Sequence, residues 1–322
     1  MNLATRYLGL SLRSPFIVGA SPLCDDEDTA RRLQDAGAGA VVLRSFFEEQ
    51  LAAPPTAPIA SADGAPEIPD YADYLRSPDH YLAQLAALKN HLTIPVIASL
   101  NGTRPGGWTE LAARLERAGA DAIELNFYQV VTDPAVAADQ VERAMLETVG
   151  EVVAAVRIPV AVKLSPFHSS VAQLAVALEL AGATGLVLFN RFYQPDVDTD
   201  TLEVCPTLRL SDPSELLLRL RWLAILSPQV RGSLAASGGI HTALDAAKAI
   251  LTGADVVQLV SVILRNGPPV LHILRKGLEY WMRGHGFETP EDFRGQLNLA
   301  RCPDPAAFER ANYIRVLQSR QF

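Results

Sequence analysis

Lys163, Asn126 and Asn190 each close a short apolar run: Val160-Ala161-Val162-Lys163, Ile123-Glu124-Leu125-Asn126 and Leu186-Val187-Leu188-Phe189-Asn190. An ammonium at the end of a buried strand has two uses: it can form a Schiff base with a carbonyl, or hold positive charge against an electron-rich ring. It can also simply pair with a carboxylate such as Glu124, because buried charges need partners. Asparagine cannot titrate usefully, but its amide both donates and accepts, which suits the edge of a heterocycle. If the runs are neighbouring parallel strands, all three side chains emerge at one end of one sheet, where α/β proteins place their chemistry.

Other strand ends add to this set. Ser237-Gly238-Gly239 and, further on, Ser261 follow later apolar runs, an arrangement in which backbone amides and a helix N-terminus can take a phosphate. Asn101 opens the turn-like Asn101-Gly102-Thr103-Arg104-Pro105-Gly106-Gly107, able to bring backbone close to a ligand. Arg44 ends another run and suits an anion, a ring edge or an ion pair at the rim.

The elements needed to position these residues are legible. Eight β-rich runs occur, at Phe16–Ala20, Ala40–Arg44, Pro95–Leu100, Ala122–Asn126, Val160–Lys163, Leu186–Asn190, Leu234–Ser237 and Val256–Val260. Between them lie stretches of helical periodicity at Glu27–Ala36, Tyr81–His91, Thr109–Ala118, Ala135–Val156, Val171–Ala181, Pro213–Leu226 and Ala243–Thr252. Ala-Gly-Ala at 36–38, 118–120 and 181–183, and Thr-Gly-Ala at 252–254, repeat one helix-ending chemistry. The alternation predicts an α/β protein, a (β/α)8 TIM barrel. A doubly wound sheet is disfavoured because no G-x-G-x-x-G follows the first strand. The long segments Glu48–Asp79 and Arg191–Asp212 follow strand ends and are candidate lids.

Composition narrows the function classes. The 322 residues are 49% hydrophobic and 20% charged, with a net charge of -8. An acidic chain is a poor partner for nucleic acid. Arg6 and Arg13 interrupt the first apolar residues, and no run reaches membrane-spanning length, so a cytoplasmic protein is the expectation. Cys24, Cys205 and Cys302 are far apart and lack C-x-x-C spacing, so neither a disulfide framework nor a bound metal or iron-sulfur cluster is expected.

Taken in order, Pro15-Phe16 to Ser21, Arg44-Ser45, Glu124-Leu125-Asn126, Val162-Lys163-Leu164, Asn190, Ser237-Gly238-Gly239-Ile240 and Gly253-Ala254 resemble the FMN-dependent dihydroorotate dehydrogenase family, as does Glu291-Asp292-Phe293-Arg294-Gly295. The resemblance runs from Pro15 to Leu297, and implies an FMN-binding barrel domain over 1–297 with a C-terminal tail at 298–322. It implies an oxidoreductase of pyrimidine biosynthesis acting on a small planar substrate, and leaves room for a homodimer and a separate redox partner. Lys163, Asn126 and Asn190 would contact flavin or substrate, Gly19, Ala20 and Ser21 would line the flavin, and Gly238, Gly239 and Ser261 would take its phosphate. Arg44 stands where the family has lysine.

Departures accompany the match. The family's Cys or Ser base should follow Glu-Leu-Asn, but this chain continues Phe127-Tyr128-Gln129-Val130. Glutamine cannot act as a base, which leaves Tyr128 as the nearest proton acceptor, with Gln129 beside it. The family's Asn-x-x-Gly-Leu-Pro-Asn loop is missing from Glu48–Asp79, Val260 replaces a glycine before Ser261, and Thr207-Leu208-Arg209 stands near a usual glycine pair. A Schiff-base lyase or aldolase using Lys163, and a catalytically silent flavin-binding protein, remain as alternatives.

Overall fold

A computed structural model of the chain describes residues 1–48, 50, 77–102, 107–191, 194–205, 208–310 and 312–318. The chain opens with an antiparallel hairpin, β1 (Thr5–Tyr7) and β2 (Leu10–Leu12). Then come β3 (Phe16–Val18), β4 (Ala40–Val42), the two-residue β5 (Phe46–Phe47), β6 (Val96–Asn101), β7 (Ala122–Asn126), β8 (Val160–Leu164) and β9 (Gly185–Leu188). A second hairpin, β10 (Asp196–Asp198) and β11 (Glu203–Cys205), precedes β12 (Ser233–Ser237) and β13 (Val256–Leu259). Strands β3, β4, β6, β7, β8, β9, β12 and β13 pair in parallel in that order, and β13 pairs back onto β3. The result is a closed eight-stranded barrel with helices outside, the (β/α)8 architecture expected.

Four αβ joints repeat one geometry. Gly37, Gly119, Gly182 and Gly253 take φ values of 113°, 98°, 102° and 122°. Each following alanine N–H bonds back to the carbonyl five residues earlier, as Ala38 does to Leu33 at 3.1 Å and Ala254 to Ala249 at 2.9 Å. Positive φ costs an L-residue with a Cβ but not glycine, so the Gly-Ala pair stops each helix and turns the chain into the next strand.

Strand periodicity then sorts side chains into two cores. Outward residues such as Val41, Ile123, Leu125, Val162, Leu186 and Val257 pack beneath the helices. Inward residues Ile17, Ala40, Val42, Ile97, Ala122, Ala161, Val187, Ala235 and Val256 fill the barrel. Several are alanines, and the space they leave is taken by Tyr7, Leu8 and Leu12, which close the N-terminal end. Leu8 N–H donates to Ser233 Oγ at 2.9 Å and Thr5 Oγ1 to the Asp255 carbonyl at 3.3 Å, fastening that hairpin.

The structure adjusts several boundaries. β9 stops at Leu188, although the Asn190 N–H still bonds to the Leu164 carbonyl at 2.7 Å. Arg44 lies two residues beyond β4. The helix predicted from Ala135 begins at Ala138, after the exposed Asp133–Ala137 segment. The candidate lid at Arg191–Asp212 contains the β10–β11 hairpin, whereas most of the one at Glu48–Asp79 lies outside the described residues. No described helix is long and apolar enough to cross a membrane.

Candidate active site

The period-2 rule decides where the chemistry points. Ala122 faces the barrel interior, so Glu124 and Asn126 do too; Ala161 brings Lys163 inward, Ile97 brings Ser99, and Val256 brings Gln258. These polar groups form the layers above the alanine-lined floor, toward the C-terminal mouth.

Three of them interlock. Lys163 Nζ lies 3.3 Å from Glu124 Oε1 and 3.2 Å from Gln258 Oε1, while Gln258 Nε2 donates to Glu124 Oε2 at 2.5 Å. Glu124, Gln258 and Lys163 are 1%, 2% and 6% exposed. Burying an ion costs several kcal/mol, and an ion pair offsets this only when further hydrogen bonds satisfy both partners. Here the carboxylate has a partner on each oxygen. The ammonium has two acceptors for its three N–H groups.

Beside this triad runs a chain of neutral groups. Asn126 stands in register with Lys163 on one side and Asn101 on the other. Asn190 Nδ2 donates to Asn126 Oδ1 at 2.6 Å, Asn126 Nδ2 to Ser45 Oγ at 3.4 Å, and Ser45 and Ser99 hydroxyls meet at 2.7 Å. Tyr81 braces the far end: its hydroxyl donates to the Ser99 carbonyl and accepts from the Ser99 N–H. Burial pushes the Tyr81 phenol well above its usual value. Asn126 is therefore held on both ends of its amide, and among the described residues the Asn190 side-chain oxygen has no hydrogen-bond partner.

A different set gathers beyond β12 and β13. Gly238 and Gly239 take φ of 91° and 79° and lie against the start of the helix Leu216–Leu226, where a Cβ on Gly239 would fall 2.4 Å from Leu216 N. Buried Arg219 of that helix donates to the Ser237 carbonyl at 2.9 Å and pins the turn. Thr242 and Asp245 cap the next helix, Ala243–Thr252, reciprocally, fixing the exit from the turn. Ser261 Oγ accepts from both the N–H and the hydroxyl of Ser211, at 3.0 and 2.9 Å, and the Gly239 N–H approaches Ser211 Oγ at 3.4 Å. Arg219 is committed to Glu215 and the Ser237 carbonyl, so the groups that fit a phosphate monoester are the hydroxyls and backbone amides converging on the turn it braces.

Not every expected residue joins these groups. Arg44 forms an ion pair with Asp25, the rim role weighed for it from sequence. Ser21 donates to the Gly19 carbonyl at 2.9 Å, and Ala20 packs on the inner core. Asn101 is buried at the end of β6, while residues 103–106 lie outside the described residues, as does Thr207. Tyr128 is half-buried just past Asn126, and Gln129 is exposed. The loop after β8 adds a group that sequence reading passed over: burial lowers the pKa of His168, and among the described residues its buried Nε2 has no hydrogen-bond partner. Gln258, Ser211 and Arg219 were likewise unmarked. Gln258 alone carried a signal, as the one polar residue within Val256–Val260.

A barrel with a charged triad and an amide chain at its C-terminal mouth, and an anion-suited turn after its last strands, gathers its polar groups where barrel enzymes place their chemistry. The sequence matches the family model for dihydroorotate dehydrogenase over residues 2–282, and the chain belongs to that family of oxidoreductases. It is 31% identical over 228 residues to a putative dihydroorotate dehydrogenase A (fumarate) of Aeropyrum pernix, covering 67% of this chain and 72% of that one. It is 26% identical over 309 residues to the catalytic subunit of dihydroorotate dehydrogenase B (NAD(+)) of Methanothermobacter thermautotrophicus, covering 91% and 97%. It is 25% identical over 320 residues to subunit PreA of the NAD-dependent dihydropyrimidine dehydrogenase of Escherichia coli, covering 92% and 77%.

Proposed function

We propose that the protein binds FMN across the barrel mouth and oxidises the CH–CH unit of dihydroorotate or a related dihydropyrimidine ring. The observation that carries this reading is the Lys163 ammonium, buried at the mouth, in register with Asn126 and with one N–H uncommitted among the described residues. The Ser237–Gly239 turn with Ser211 and Ser261 would hold the phosphate. The flavin supplies a two-electron acceptor for hydride when bound.

The chain's own residues supply the rest. Lys163 presents fixed positive charge, already oriented, where negative charge gathers during the reaction. Asn126 and Asn190 offer donor and acceptor edges that match the amide edges of a pyrimidine-type ring. With no thiol or serine after Asn126, the departing proton goes to Tyr128 or His168, both on the loops of adjacent strands; Gln129 can only hydrogen-bond. A Schiff-base route is disfavoured because the lysine nitrogen is engaged as a donor to two acceptors, an arrangement for holding charge rather than attacking a carbonyl.

The purified protein, supplied with FMN if needed, should show a flavin spectrum that bleaches on anaerobic addition of dihydroorotate or a dihydropyrimidine. Tyr128→Phe and His168→Gln, compared by single-turnover bleaching, should slow the step by 10²–10⁴-fold in whichever variant lost the proton acceptor. A protein that takes up no FMN, or borohydride trapping of a carbonyl substrate on Lys163, would overturn the reading.

A further inference from the structure

Gln258 sits on β13, across the barrel interior from Lys163 on β8, with β9 and β12 between them. Its amide is held between opposite charges: the oxygen faces the ammonium at 3.2 Å and the NH2 faces the carboxylate at 2.5 Å. The reverse orientation would set donor against ammonium and acceptor against carboxylate, so the two ions fix which way the amide points. The amide in turn fixes the ions. By occupying Glu124 Oε2 it restricts Lys163 to Oε1, and by offering its own oxygen it draws the ammonium away from the β7 wall. The near-equal distances of 3.3 and 3.2 Å place Nζ between the two acceptors.

We infer that Gln258 is a positioning residue for Lys163, holding the ammonium shared between two interior acceptors so that its third N–H is delivered to the cofactor at the mouth. Without it, both carboxylate oxygens of Glu124 become available and the ammonium settles lower, as a bidentate pair within the barrel. The ion pair would survive, but the charge would be set back from the ring, and the site would favour the reduced cofactor less. The inference rests on the FMN reading. It adds that the redox preference depends on a neutral side chain reaching from the opposite wall.

The test uses the full-length holoprotein and two variants, Gln258→Met, similar in size and without the amide, and Gln258→Glu, close in shape and adding a carboxyl beside Glu124. FMN content, urea unfolding and the FMN midpoint potential by spectroelectrochemical titration are measured on all three. Both variants should retain FMN. At a fixed solution potential, the ratio of reduced to oxidised flavin should fall about tenfold in Gln258→Met, about 30 mV for a two-electron couple. It should fall further in Gln258→Glu, where added negative character opposes an anionic ring. A lost packing contact would lower the unfolding midpoint without ordering the potentials in this way. Folded, FMN-bound variants whose ratio stays within about twofold of wild type overturn the positioning role and leave the FMN reading intact. Failure of both variants to fold also overturns it, since Gln258 would then be a structural residue. If the wild type takes up no FMN, the functional reading falls and the inference with it.

Discussion

Asp255 offers a quantitative test of what the barrel floor does to a charge. It lies just before β13, where one carboxyl oxygen accepts the Leu234 N–H at 2.7 Å and the other is 3.2 Å from Arg294. Two effects oppose each other: burial favours the neutral acid and Arg294 favours the anion. Burial prevails, and the carboxyl is pushed up from 3.8 to about 6. Because the folded value lies above the unfolded one, the stabilising contribution is fully present below about pH 4 and is lost as pH rises through about 6. A shift of roughly two units at 1.4 kcal/mol each gives about 3 kcal/mol, an upper figure because the side chain is still 14% exposed. Urea unfolding of wild type and Asp255→Asn at steps from about pH 4 to pH 7 reads this group, since titrations of groups remote from Asp255 and Arg294 cancel in the difference. The stability of wild type relative to the variant should drop by up to about 3 kcal/mol over that range. A difference that stays flat would mean that Arg294 cancels burial, and one that rises with pH that Arg294 outweighs it; either would refute the reasoning.

Two further outcomes follow from packing. Gly239→Ala should destabilise by about 3 kcal/mol in denaturant unfolding, summing the penalty for φ of 79° and the clash at 2.4 Å with Leu216 N. It should also weaken FMN uptake, because the Gly239 N–H is part of the proposed phosphate site. Cys24 is fully buried and its thiol is pushed up to about 12 by burial. In native protein near pH 8, alkylation followed by peptide mapping should label the partly exposed Cys205 and Cys302 and spare Cys24.

The barrel was readable because its signals are local. Four αβ joints carry a glycine with positive φ, and short apolar runs alternate with helical stretches around the whole barrel. The Leu186–Asn190 run was read two residues too long because Phe189 and Asn190 continue the β-rich composition although the strand ends at Leu188. Lys163, Asn126 and Asn190 stood out as polar ends of apolar strands, and the structure brings them to one mouth. Glu124 was legible as a carboxylate able to pair with Lys163, and it does. Gln258 was harder to see, because it lies within a strand and its meaning comes from a contact with a residue 134 positions away. Ser211 and Arg219 sit in polar or amphipathic stretches where serine and arginine are unremarked. Only the closing of the barrel sets them against Ser261 and Ser237.

The N-terminal hairpin gives the molecule a polarity beyond the direction of its strands. With Tyr7, Leu8 and Leu12 stoppering one end, the interior is a cul-de-sac, and anything that reaches Lys163 must arrive and depart through the same opening. The first dozen residues, remote in sequence from Lys163, thereby complete a packed interior that leaves the ammonium one side, the C-terminal mouth, on which to meet a ligand.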